Sequence, residues 1–265
     1  MRRHWVGALM VVVVAGMLLG ACGAATTAID GTGPRKAVVV VTPPVPAQAV
    51  PAYPAGPPVA VSPPSVMVVP ATTAPPAFSG SVSAVTAADL GGTWHPGCPV
   101  GPDQLRLLHL GYWGFDEQPH VGAMVVNQAV VAPVTQVFQN LWNQRFPIHE
   151  MVPQAAYGGN DNAAAAADDT SGFNCRDAVV PSGPPEWSVH AYGEAIDVND
   201  VENPYVDGAT VIPPSGTVYL NRSAVRPGMA LPGGTLVEAF SSVGWSWGGR
   251  WSAAPDYQHF SATGG

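Results

Sequence analysis

The feature that most limits what this chain can fold into is a break in composition near residue 81. From Gly23 to Ser81 the sequence is dominated by Pro, Ala, Val, Ser and Thr, with doublets at Pro43-Pro44, Pro57-Pro58, Pro63-Pro64 and Pro75-Pro76 and almost no charge. Proline removes a backbone donor and fixes φ, and no helical or alternating apolar period runs through the stretch. Residues 23–81 are therefore expected to form a disordered or polyproline-like tether, with a reach on the order of 180 Å at most at about 3.1 Å per residue. Residues 82–265 are left to build a core, which is enough for one domain.

Residues 1–22 read as an export signal. Arg2 and Arg3 precede an apolar run from Val6 to Leu19, and small residues lead to Cys22. An apolar core this short, with these flanks, suits a secretory signal better than a membrane span. Leu19-Gly20-Ala21-Cys22 resembles the bacterial lipobox, in which the cysteine is lipidated and becomes the mature N-terminus. That predicts an exported protein held to the cell membrane by a lipid and facing the cell wall; an ordinary cleaved signal and an uncleaved anchor are the alternatives. With Cys22 so used, Cys98 and Cys175 remain as a pair suited to an oxidising compartment, or as two buried thiols. A bond between them would stabilise the fold by about 4–5 kcal/mol if loop entropy governs.

The 82–265 segment is acidic. It holds six arginines and no lysine, since the single lysine is Lys36, against seventeen of the chain's 18 Asp and Glu. Such a balance argues against nucleic acid as a partner and against a domain that lies on anionic lipid.

Local patterns predict a mixed fold. Asp103 to Leu108 is expected to open a short helix. Val130, Val134, Val137, Phe138, Leu141 and Trp142 recur at helical spacing over 130–146, with Pro147 as the stop. Residues 160–171 read as a loop. Ala195 to Asn199 alternates, so Ile196 and Val198 face one way and Asp197 the other. Leu236 to Val243 reads as a helix ended by Gly244, and Tyr257 to Phe260 as a last strand. The expectation is an α+β domain in which helices pack around a small antiparallel sheet.

Two clusters carry chemistry: Ser188-x-His190-x-x-Gly193-x-Ala195-x-Asp197, and Asp256-x-x-His259. A catalytic zinc takes three protein ligands and keeps a fourth position for water. His190, Asp197 and His259 supply two neutral imidazoles and one carboxylate, leaving a net positive ion able to acidify its water. Singly, each of these residues is as readily structural; it is their joint spacing and order that favour a metal site. His95, His109, His120 and His149 lie outside any ligand spacing, although His120 is a candidate to line the site.

The stretch Trp187 to Asn199, followed by Asn203-Pro204-Tyr205, resembles the zinc D-alanyl-D-alanine carboxypeptidases, in particular the branch that includes the L-alanyl-D-glutamate endopeptidases of phages and bacteria. Gly244 to Trp251, Asp256 to Phe260 and Gly172-Phe173-Asn174-Cys175-Arg176 match the same branch. The resemblance implies a Hedgehog/DD-peptidase-like fold with the zinc site at the sheet. It also implies zinc on His190, Asp197 and His259, Asp256 as general acid/base, and Arg176 as the arginine that meets substrate. Asp256 stands where the vancomycin-resistance dipeptidases carry a Glu, one methylene longer. Ser188, Trp245, Trp247 and Trp251 are candidates to contact substrate. The implied activity is zinc-dependent hydrolysis in peptidoglycan stem peptides, as a carboxypeptidase or an endopeptidase. The alternative is a wall-binding module that keeps the zinc and has lost turnover.

Overall fold

A computed structural model describes residues 76–178 and 184–264, all within the unit Val69–Gly265. The expected signal at 1–22, its Cys22, and the tether up to residue 75 lie outside the described residues. No helix among the described residues is long and apolar enough to cross a membrane.

The first half is built on a three-stranded antiparallel sheet ordered β1-β2-β3, from β1 (Gly80–Ala84), β2 (Leu105–Trp113) and β3 (Pro119–Asn127). A four-residue helix α1 (Ala87–Leu90) follows β1, capped by the Thr86 hydroxyl. β2 and β3 pair along nine residues, from Leu105↔Asn127 to Trp113↔Pro119. The helix expected at Asp103 is only a single tight turn, Pro102–Gln104, and the leucines continue as β2. The reason is that both faces of β2 are covered. Leu108 and Leu110 enter the main core, while Leu105 and Leu107 face a second cluster with Val85, Leu90, Val125 and Phe173. A strand buried on both sides reads as a continuous apolar run, which propensity alone assigns to a helix. Hydrogen bonds also reach residues before 82. Gly111 donates its N–H to the Ser79 carbonyl, and the Trp142 indole donates to the Pro76 carbonyl.

Helix α2 (Val131–Asn143) packs Val134, Val137, Phe138, Leu141 and Trp142 inward, as the helical spacing predicts. It ends four residues before Pro147. The Phe146 N–H reaches back to the Leu141 carbonyl and the Arg145 N–H to that of Trp142, with Arg145 left-handed at φ 52°. That closure satisfies the last carbonyls without proline. The segment expected as a loop at 160 begins instead with helix α3 (Asp161–Ala166), whose Asn160 side chain accepts the Ala163 N–H. An N-cap followed by a run of five alanines, Ala163 to Ala167, is a helix signal in its own right.

The second half holds a smaller antiparallel sheet ordered β4-β8-β7, from β4 (Ala195–Asp197), β7 (Ser246–Trp247) and β8 (His259–Ser261), plus the hairpin β5 (Tyr205–Asp207) and β6 (Thr210–Ile212). Helix α4 (Thr235–Ser241) sets Leu236, Val237 and Phe240 against α2, and Gly244 at φ 83° closes it. One core joins the two sheets: Met124 and Val126 of β3 share it with Ile196, Val198 and Phe260. The result is mixed helix with small antiparallel sheets, as the α+β expectation had it.

Candidate metal centre and active-site cleft

The end of β3 positions the first candidate ligand, His190. Asn127 donates its N–H to the Gly193 carbonyl and its side-chain amide to the Tyr192 carbonyl, seating the turn Val189–Tyr192. The Ser188 hydroxyl caps that turn by accepting the His190 N–H at 3.3 Å. Gly193 ends it at φ 70°, and a Cβ there would stand 2.7 Å from the Asn127 nitrogen. Only glycine meets both the left-handed φ and the close approach.

Cross-strand pairing brings together the other two candidate ligands. Asp197 on β4 lies opposite His259 on β8, although 62 residues separate them in sequence. Ile196 and Val198 point into the core while Asp197 faces the cleft, in keeping with the alternation. The segment Ser171 to Arg176 threads alongside. Ser171 and Asp197 exchange backbone hydrogen bonds, Phe173 donates to Val125, and Asn174 donates to His190.

Three side chains converge in this buried spot. His190 Nε2 lies 3.1 Å from His259 Nδ1 and 3.2 Å from Asp197 Oδ2, and His259 Nδ1 lies 3.2 Å from Asp197 Oδ1. The His190 Nδ1–H donates to the Gly172 carbonyl at 2.7 Å, which fixes the tautomer and leaves the Nε2 lone pair aimed inward. Burial works against a charge on Asp197, but His190 and then His259 outweigh it and hold the carboxyl far below the usual range. Zinc with ligands at about 2.0–2.1 Å has tetrahedral edges of about 3.3 Å. The donor set and its spacings fit such an ion, and these residues could hold one.

Asp256 sits beside the cluster, with Oδ1 shielded from solvent and without a hydrogen-bond partner among the described residues. Burial, and then the charge of Asp197, push its carboxyl up to about 7 against the opposing pull of His259 and Arg176. Its chain position is set by its N–H donating to Gly248 and by the bridge to Tyr205.

These groups open on a cleft of about 880 Å³. Arg176, Ser188 and Trp251 line it, and the Trp251 ring stands 5.3 Å from that of His259. Trp245 and Trp247 do not line it and are buried in the core; Trp247 packs on Phe260 and donates its indole N–H to the Tyr257 carbonyl. Their part is to hold the ligand strand, because strand alternation and the α4 closure turn both rings inward. His120 is also away from the cleft, paired with Asp116 on the exposed β2–β3 turn. Cys98 and Cys175 are joined, with Cα atoms 5.9 Å apart. Asp161, Tyr205 and Gln258 line the cleft without any sequence spacing that announces them. Asp161 is brought there by Asn174, whose amide donates to it at 2.7 Å.

A family model described as D-alanyl-D-alanine carboxypeptidase matches residues 182–262. The matched span holds His190, Asp197, Asp256 and His259. Arg176, Asp161 and the β1-β2-β3 sheet lie outside it. No curated protein and no solved structure matches the chain. The match supports a metallopeptidase for the part of the chain that carries the cluster, and the members of that family are zinc-dependent.

Proposed function

We propose that this chain is an exported, lipid-anchored zinc peptidase that hydrolyses peptide bonds in peptidoglycan stem peptides. The observation that carries the reading is the convergence of His190, Asp197 and His259 with an unpartnered Asp256 carboxylate oxygen beside them. When bound, zinc would supply Lewis acidity at the scissile carbonyl and lower the pKa of a water. Asp256 takes the proton from the attacking water and passes it to the leaving amine. A carboxyl raised to about 7 is well matched to doing both near neutral pH. Arg176, on the wall of the same cleft, donates N–H groups to the developing oxyanion. Ser188 keeps its hydroxyl on the His190 turn and shapes the cleft floor. The lipid on Cys22 and the proline-rich stretch after it would hold the domain within reach of the wall.

Zinc content and digestion of purified peptidoglycan, read by mass spectrometry, test the proposal. About one zinc per chain is expected, lost in His190→Ala and in His259→Ala, together with release of stem-peptide fragments. Zinc with no fragments would favour the wall-binding module. Full zinc retention in both variants would remove the ligand assignment.

A further inference from the structure

Arg176 does not meet the cleft as a free cation. Its guanidinium forms an ion pair with Asp161 through Nε, and Nη1 also reaches the Asp177 carbonyl at 3.3 Å. Asp161 is itself held. It opens α3 behind the Asn160 cap, and its Oδ1 accepts the Asn174 amide at 2.7 Å. Asn174 in turn donates its N–H to the carbonyl of His190, so the acid is tied to the same segment that carries the metal-binding turn. Both partners line the cleft.

The balance of charge around them points the same way. Among the described residues lining the cleft, Arg176 is the only Arg or Lys, against the carboxylates of Asp161, Glu186, Asp197 and Asp256. A divalent ion on the His190 cluster would not reverse that sign. A substrate ending in a free α-carboxylate next to the scissile bond would have to share one guanidinium with Asp161 and bring two anions together. A neutral peptide carbonyl at the same place needs only an N–H, and Nη2, which has no partner among the described residues, has such donors to offer.

We propose that Asp161 is a specificity-determining residue: by holding the Arg176 guanidinium, it turns the cleft away from substrates with a free terminal carboxylate and toward bonds inside a peptide. This rests on the peptidase reading above and assigns to it the endopeptidase branch of substrates. Removing the acid while keeping the arginine releases a cation for a carboxylate. Asp161→Asn does this with little disturbance, because its amide oxygen still accepts from Asn174.

The test uses the zinc-loaded full chain carrying Asp256→Asn, so that hydrolysis does not consume the probe. The probes are an acylated D-alanyl-D-alanine as the free acid and as its C-terminal amide. Binding is followed by tryptophan fluorescence, since Trp187 and Trp251 line the cleft. With Asp161 in place the amide should bind at least about threefold more tightly, the scale of one partly exposed ion pair. Adding Asp161→Asn should invert the order, and adding Arg176→Gln to that should abolish the preference for the acid. Tighter binding of the free acid with Asp161 present would overturn the inference, and that comparison depends on no change at Asp161. An order unchanged by Asp161→Asn, or binding of neither probe, would overturn it too. Cleavage by the native chain is scored separately. If the inversion is seen and neither probe nor peptidoglycan is cut, the specificity assignment stands and the peptidase reading fails.

Discussion

The β1-β2-β3 sheet and the β4-β8-β7 sheet do different work with different means. The first has two nine-residue strands, β2 and β3, paired without interruption, and their even positions Leu108, Leu110, Met124 and Val126 feed a continuous core. The second has strands of two and three residues, too few to hold their own register. Its order comes from outside: β3 clamps the His190 turn, Ser171 pairs with Asp197, and Phe240 stacks on Phe260 at 4.1 Å. The lesson is a division of labour. A long sheet supplies stability, and a short one, braced on it, can then expose polar groups to a cleft.

Perturbations should separate the two. The largest stability effect is expected from the Cys98–Cys175 bond, which spans 77 residues and ties the segment after α1 to the one that borders the His190, Asp197 and His259 cluster. Replacing both cysteines by Ser should lower stability by up to about 4–5 kcal/mol in denaturant unfolding if loop entropy governs. A loss of activity at full stability would instead make the bond a positioning device alone. Next comes the core beneath the long sheet. Phe138→Ala should cost about 3–5 kcal/mol while zinc content and kcat stay near native, measured below the melting transition.

In the short-sheet region the order reverses, with small effects on stability and large ones on rate. Asp256→Asn should keep zinc and fold and lose at least about 10²-fold in kcat. The pH profile sharpens this. Asp256 must be a carboxylate to accept a proton, so kcat/KM should fall as pH drops through its pKa, on a limb at or below about 7. The Asn variant should lack that limb, whereas near-native turnover by it would make Asp256 structural. Arg176→Lys should lower kcat/KM by about tenfold with zinc retained, since an ammonium cannot serve Asp161 and a substrate oxygen in one plane. Unchanged kinetics would take Arg176 out of substrate contact.

The candidate site was far more legible than the scaffold that holds it. His190, Asp197 and His259 announce themselves because metal chemistry restricts both residue type and spacing, and the alternation of Ile196 and Val198 already turns Asp197 away from the core. The Leu105–Leu110 run hid a strand, because a residue buried on both faces of a sheet carries no period. Asn160 and the alanines after it show a helix that a loop reading passes over. Trp245 and Trp247 were the harder case. An aromatic near a site looks the same in sequence whether it walls a cleft or packs behind it, and here strand direction turned both inward.

What the sequence by itself offered was the chemistry: which side chains are candidates to bind a metal, and that a proline-rich stretch precedes a chain able to bury a core. These follow from residue type and short-range spacing. The tertiary structure alone decided what depends on distant partners meeting. Asp197 faces His259 only because β4 and β8 pair in one register, and Arg176 meets Asp161 only because Asn174 draws α3 to the cleft. Long-range contacts leave no period along the chain, so the charge that a substrate meets at Arg176 could be read only from the folded protein.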